Sequence, residues 1–133
     1  MPERDPADLA ALLAGKAQED ATAVREFAAN QQISDSIIGF HAQQAVEKWL
    51  KAVMALRGIR QTRTHDIGRL VGMLDDDGAE LPLSRDQLEE LTEYAVPLRY
   101  ADLLDAEPLD REATLAVVDE VGRWANAQLR PGD

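Results

Sequence analysis

The segment from Phe40 to Ala52, FHAQQAVEKWLKA, limits what this chain can fold into more than any other stretch. Successive residues of an α-helix are about 100° apart, so side chains at spacings of three and four share a face. One face here is apolar and comprises Ala42, Val46, Trp49, Leu50, Val53 and Leu56. The opposite face is polar and comprises His41, Gln44, Glu47, Lys48 and Lys51. The pattern predicts an amphipathic helix.

Two large apolar side chains, Ile37 and Phe40, fall on the polar face of the same helix. A face that met only water would not need them. We therefore expect this helix to have a second buried surface, and in a chain of 133 residues the simplest covering element is a second copy. Ile37 and Phe40 are the candidate seam of a homodimer.

Length and composition limit the architecture and the environment. With 133 residues, 45% of them hydrophobic, the chain is expected to form a single domain over residues 1–133 with one core. The absence of cysteine excludes disulfides and thiolate metal ligands, and favours a reducing compartment. No apolar run approaches the roughly 18 residues that a membrane span needs, and no secretory signal is visible. We expect a cytoplasmic protein with no membrane partner.

The formal charge of −11 opposes non-specific binding to nucleic acid, because phosphate neutralisation dominates that affinity. We expect no DNA partner, and any contact with RNA or a nucleotide must come from a local basic patch. One candidate patch consists of Arg57, Arg60, Arg63 and Arg69, with Lys48 and Lys51 upstream. The same clustering also arises by chance in a chain of this size, so both interpretations stay open.

Helical periodicity recurs along the chain, and strand-like alternation does not. The predicted helices span about residues 6–30, 35–57, 65–75, 84–98 and 110–129. The predicted N-caps are Asp5, Ser34 or Asp35, Thr64 and Ser84. Gly58 and the acidic segment 75–78 are expected to end the second and third helices, and Pro97 to kink or shorten the fourth. The sequence predicts an all-α, antiparallel helical bundle of about five helices.

Three short motifs, QQAVEKWLKA, Thr64-His65-Asp66 and Arg99-Tyr100, follow one another along these helices. Their order and spacing resemble the HEPN domain (higher eukaryotes and prokaryotes nucleotide-binding). The resemblance extends from about Leu9 to Leu129. It implies an up-and-down four-helix core and a tendency to form dimers.

The resemblance implies one of two functions. Many members are metal-independent endoribonucleases that carry an Arg-x(4–6)-His motif near the end of the bundle. Others lack it and act as binding modules, often encoded beside a small nucleotidyltransferase of the MNT type in toxin–antitoxin-like pairs. No histidine follows Arg99 in this chain. The resemblance therefore favours a non-catalytic dimeric module with an MNT-type partner, a nucleotide or RNA as ligand, and no cofactor or metal.

The alternative is an endoribonuclease with an atypical site. An Arg-x(4)-His string occurs once, from Arg60 to His65, in the connector before the third helix. His65 has the chemistry of a base for the 2′-hydroxyl, and Arg60 or Arg63 has the charge to stabilise a phosphorane. The structural interpretation of Arg60 and His65 is a loop arginine and a polar residue that opens a helix.

The remaining candidates also have alternative interpretations. His41, Gln44 and Lys48 share a helix face, which suits a nucleotide or RNA cleft, a dimer seam or a hydrogen-bonded helix contact. His65 and Asp66 suit a ligand site, or cap the third helix and bond back to the second.

The Arg99-Tyr100 pair also has two interpretations. Its guanidinium and phenol suit a phosphate and a base, or the pair anchors the end of the fourth helix through a buried hydroxyl and an ion pair with Glu47. Trp49 and Trp124 lie at core spacing, and we expect both to serve packing.

Overall fold

The first helix begins where the sequence predicts. The Asp5 carboxylate accepts a hydrogen bond from the Ala7 amide at 2.9 Å, and Pro6, which has no amide hydrogen to lose, occupies the first turn. The computed structural model describes residues 5–95 and 108–130. Within them the helices are α1 Pro6–Ala28, α2 Asp35–Leu56, α3 Ile67–Asp76, α4 Arg85–Glu89, a 3-10 helix Glu90–Ala95, and α5 Arg111–Leu129. No strand occurs in these residues, so the prediction of an all-α bundle of five helices is confirmed.

The two longest helices, α1 and α2, pack side by side as an antiparallel pair. Ala10 near the start of α1 lies against Ala52 and Ala55 near the end of α2. These small side chains let the two backbones approach closely. Helix α5 packs against both α1 and α2. Helix α3 and the 3-10 helix also pack on α2, and α4 packs against these two elements.

The core lies between α2 and its neighbours, and the apolar face predicted for α2 forms its centre. The buried residues of that face are Ala42, Val46, Trp49, Leu50 and Val53. Leu56 shares this face by helical spacing, but as the last residue of the helix it is 38% exposed. Trp124 is half-buried against the core, and its indole N–H donates to the Glu80 carbonyl at 2.7 Å.

Two glycines allow an aromatic ring to touch a helix backbone. A Cβ at Gly39 of α2 would lie 2.3 Å from Cδ1 of Tyr94, and one at Gly122 of α5 would lie 2.6 Å from Cη2 of Trp49. Both distances are far inside van der Waals contact. Any larger residue at Gly39 or Gly122 would therefore displace a packed ring.

The structure differs from one predicted helix cap and decides another that the sequence left open between two residues. Asp66, not Thr64, caps α3: its Oδ1 accepts from the Arg69 amide at 3.3 Å, while the Thr64 hydroxyl accepts from the Asp66 amide at 3.1 Å. Asp and Thr are both good caps, so composition does not separate them. Ser34 caps α2, which leaves the Asp35 side chain for other bonds.

The fourth helix is shorter than predicted. Regular α-helix ends at Glu89, and a tighter 3-10 helix continues to Ala95. This winding accompanies two tertiary contacts, because the Thr92 hydroxyl accepts from the Ile67 amide at 3.1 Å and the Tyr94 ring packs on α2. The predicted kink at Pro97 lies outside the described residues.

The predicted ends of α2 and α3 are confirmed. Gly58 and Gly78 follow these helices with φ angles of 74° and 88°, in the left-handed region that favours glycine. Across residues 5–95 and 108–130, the helices are too short or too polar to cross a membrane.

Candidate functional site

The polar face of α2 contains a carboxylate that the fold buries. Glu47 is only 4% exposed. Its Oε1 accepts from Gln43 Nε2 at 2.8 Å and lies 2.8 Å from His65 Nδ1, and its Oε2 accepts from Lys51 Nζ at 3.1 Å. Gln43 and Lys51 lie one helical turn before and after Glu47, so α2 itself supplies two of the three donors. We call these four residues the Glu47 cluster.

Burial raises the pKa of the Glu47 carboxyl, but hydrogen bonds from His65, Gln43 and Lys51 together outweigh it. The net effect holds the pKa of Glu47 below its ordinary value of 4.5. The carboxylate is therefore ionised at neutral pH and can only accept hydrogen bonds. It follows that Nδ1 of His65 carries the hydrogen in this contact.

His65 connects α2 to the start of α3. Its backbone carbonyl accepts from Gln43 Nε2 at 3.3 Å, in addition to the ring contact with Glu47. The neighbouring Asp66 caps α3. The His65 side chain is nevertheless 59% exposed, so its orientation is held from one side while most of the ring meets solvent.

A second carboxylate on α1 collects the other candidates of α2. Asp20 Oδ1 lies 2.9 Å from His41 Nδ1, and Oδ2 accepts from Lys48 Nζ at 2.6 Å. The Phe27 and Phe40 rings meet the His41 ring edge to face, with centroids 5.8 and 5.6 Å away. Asp20, His41 and Lys48, here called the Asp20 cluster, form a contact between α1 and α2.

Gln44 belongs to the other cluster, because its Nε2 donates to Gln43 Oε1 at 2.7 Å. The structure thus joins His41 with Lys48 on one carboxylate and connects Gln44 and His65 with a different one. His41, Gln44 and Lys48 share a helix face as predicted, but their polar groups engage two separate clusters.

The predicted basic patch is divided. Arg57 bonds to Asp77, with its Nε 2.8 Å from Oδ2 and its Nη2 2.8 Å from the backbone carbonyl, so the acidic turn after α3 engages one arginine of the patch. Arg60, Arg63 and Arg69 are exposed. Arg99 and Tyr100 lie outside the described residues, and so does the ion pair predicted between Arg99 and Glu47.

The candidate seam residues remain on the surface of α2. Ile37 is 44% exposed and Phe40 is 40% exposed. Apart from the Phe40 edge that meets His41, these side chains lie outside the buried core.

In residues 5–95 and 108–130, no group of three or more His, Asp or Glu side chains is arranged to hold a metal ion.

The sequence model of the HEPN domain matches residues 10–128. The chain belongs to the HEPN family. No curated protein and no solved structure matches it. Membership supports a function related to nucleotides or RNA in general, and HEPN domains often dimerise.

The sequence interpretation of this HEPN domain missed two residues that organise it. One is Asp20, which lies three residues after Ala17 and four before Val24, within the buried stripe of α1. An acidic residue at such a position needs a hydrogen-bonding or charged partner, and this spacing in the sequence indicated that Asp20 would have one.

The other is Arg111, at the first position of α5. It donates to the Ala28, Asn30 and Ile33 carbonyls at 3.2, 3.1 and 2.7 Å, and to Asp35 at 3.0 Å, so it ties the α1–α2 turn to α5. A cation at a helix N-terminus opposes the helix dipole. Its presence there was a sign of a specific contact.

Proposed function

We propose that this HEPN protein is a non-catalytic binding module that forms a homodimer through α2 and acts with a small MNT-type nucleotidyltransferase as its partner. The observation that carries the proposal is the contrast on the outer face of α2. Its large apolar side chains, Ile37 and Phe40, are exposed, while its polar side chains are engaged inside the chain.

The bonding of the histidines supports a structural role for them. Both contact carboxylates that connect different elements of the fold, His41 through Asp20 of α1 and His65 through Glu47 of α2. The family's usual arginine–histidine motif has no counterpart after Arg99. Neither histidine is therefore required to be a catalytic base to explain its position.

The arrangement of the seam suits a two-fold interface. Ile37 and Phe40 are one turn apart near the start of α2, and Gln44 and Lys48 continue the same face toward its middle. In an isologous dimer the same patch faces its own copy, so one apolar patch is sufficient. His41, Gln44 and Lys48 then border the interface, where a nucleotide bound between two copies would meet them.

Self-association is tested with Phe40→Glu against Leu56→Glu. The two side chains are similarly exposed, at 40% and 38%, but Leu56 lies at the opposite end of α2. We expect light scattering at micromolar concentration to give twice the chain mass for the wild type and for Leu56→Glu. Phe40→Glu should give the monomer mass, because a buried charge would replace an apolar contact. A monomeric wild type, or a dimer that survives Phe40→Glu, contradicts the seam.

The partner is tested by co-expression with the open reading frames that flank the gene. We expect one of them to encode a short nucleotidyltransferase that co-purifies with the tagged wild-type chain through size exclusion. If no such frame is present, or if its product elutes separately, the partner assignment is wrong. The dimer result is independent of this outcome.

A second candidate function, a metal-independent endoribonuclease, is favoured by one observation. The His65 ring is oriented by an ionised carboxylate and is 59% exposed, which is how a positioned general base is arranged. Arg60 and Arg63 lie on the same connector and are exposed.

Purified wild type, His65→Ala and Arg60→Ala should be incubated with single-stranded RNA in the presence of chelator. Our proposal predicts that all three leave the RNA intact. Loss of a general base lowers a rate by about 10² to 10⁴. Cleavage by the wild type that disappears in both variants would therefore establish the ribonuclease instead.

A further inference from the structure

A groove of about 540 Å³ runs between α1 and α5, away from the seam and from the Glu47 cluster. We propose that it binds the phosphate groups of a nucleotide-sized polyphosphate ligand. None of the residues used for the proposed dimer or for the alternative ribonuclease lines it. The proposal therefore does not depend on either function.

The walls of the groove carry polar side chains, and its floor is formed by residues with small side chains. One wall consists of Gln18 and Arg25, seven residues apart on α1, with Ala21 between them on the same face. Seven residues are two turns, or about 10 Å of helix, which suits a chain of linked phosphates better than a single anion.

The facing wall repeats this pattern on α5. Arg123 and Arg130 are also seven residues apart, and Asn126 and Ala127 lie between them. The floor is formed by the buried residues Ala21 and Gly122, with the Trp49 ring packed against Gly122. Small floor residues leave room for a ligand to approach both walls at once.

The charge of the groove is opposite to that of the chain. Three arginines and one carboxylate, Asp119, line it, although the chain as a whole carries −11. Asp119 is already bonded to Arg25. Arg123 and Arg130 are exposed, so two guanidinium groups are available to an anion.

Arginine in this position favours phosphate as the ligand. Its planar fork can donate two parallel hydrogen bonds to one phosphate group, and it remains charged at any physiological pH. The net charge of −11 on the chain repels long polyanions, which favours a compact ligand. The volume falls within the range of about 300–1,000 Å³ that is usual for small-molecule sites.

Trp49 provides a probe of occupancy, because it lines the groove while Trp124 does not. Its indole N–H is buried without a hydrogen-bond partner among the described residues. In a Trp124→Phe background, ligand binding should change the fluorescence of Trp49 alone. The titrants are sodium tripolyphosphate, ATP and a ten-residue oligoribonucleotide, and calorimetry on the unmodified chain checks the result.

We expect saturable binding of tripolyphosphate and ATP that weakens with added salt. Replacing both Arg123 and Arg130 with Gln should weaken it about tenfold or more, because each lost guanidinium removes a positive charge and its paired hydrogen bonds to the phosphate. The matched control is Arg60→Gln with Arg63→Gln, which removes the same charge from another exposed surface. This control should leave the affinity unchanged within about twofold, because exposed charges act weakly at a distance.

Asp119→Asn gives an expectation of opposite sign. It removes the one anion of the groove and releases Arg25, so tripolyphosphate should bind more tightly.

Failure of the wild type to bind tripolyphosphate and ATP would overturn the proposal. So would equal weakening in the Arg60/Arg63 control, or binding of the oligoribonucleotide alone, which would indicate an RNA surface. Circular dichroism melts of each variant check that it remains folded.

Discussion

The Glu47 and Asp20 clusters are built alike but placed differently. Each carboxylate contacts one histidine and one lysine, and each joins separate elements of the fold. The Glu47 side chain is 5% exposed and has Gln43 as a third donor, whereas the Asp20 side chain is 14% exposed and its partners are reached by solvent. We therefore expect the same types of interaction to contribute different amounts to the free energy of unfolding in the two clusters.

The difference follows from what remains when one member is removed. In the Glu47 cluster, Gln43 is fully buried and Lys51 is 13% exposed, so these two donors have little access to water when their acceptor is lost, whereas the His65 ring already meets solvent. Leaving buried donors unsatisfied costs their full desolvation. In the Asp20 cluster, His41 and Lys48 are 29% and 27% exposed, so both can turn toward water when Asp20 is replaced.

The largest expected effect is that of Glu47→Ala. We expect it to lower the free energy of unfolding by about 3 kcal/mol, through lost packing and the unsatisfied donors of Gln43 and Lys51. Chemical denaturation measures the change. Glu47→Gln is the control, since it keeps the volume and one acceptor oxygen, and it should cost roughly half as much. Equal effects of Glu47→Ala and the corresponding Asp20 substitution would remove the distinction between the clusters.

A pH titration of stability sharpens the comparison. Because the pKa of Glu47 is lower in the folded chain than its ordinary value of 4.5, ionisation of this group stabilises the fold above that value. This contribution is lost as the pH falls through the lower, folded-state pKa. The stability gap between wild type and Glu47→Gln should therefore be full at pH 6 and close progressively below pH 4.5. A gap that stays constant to pH 3 would contradict the ionised assignment.

Local features of the fold were predictable from the sequence. The Asp5 and Ser84 caps depend on residues two or three positions apart, and both occur as the sequence predicts. The apolar stripe of α2 was equally readable, because helical periodicity decides which side chains share a face. The length of the fourth helix was not readable, since its change to 3-10 winding accompanies contacts with α2 and α3.

The Asp20 cluster and the contacts of Arg111 could not be derived because their members are far apart in sequence. Asp20 lies 21 residues from His41, and Asp35 lies 76 residues from Arg111. The sequence indicated that the polar face of α2 had a partner, but did not identify which acid would reach it. Charge complementarity alone allows many pairings in a chain with 25 acidic and 14 basic residues. Only the packing of α1 and α3 on α2 selects among them.

The smallest expected effect is that of Asp20→Asn. The asparagine keeps an oxygen that can accept from His41, and Lys48 can hydrate, so we expect a loss of only about 1 kcal/mol in the free energy of unfolding. Glu19→Gln is the matched control, because Glu19 is the adjacent acid on α1 and is 69% exposed in its pair with Lys16. It should change stability by about 0.5 kcal/mol or less. If Asp20→Asn costs no more than Glu19→Gln, then the α1–α2 contact depends on the packing of small side chains such as Ala17 and Ala42, and the Asp20 cluster only occupies its edge.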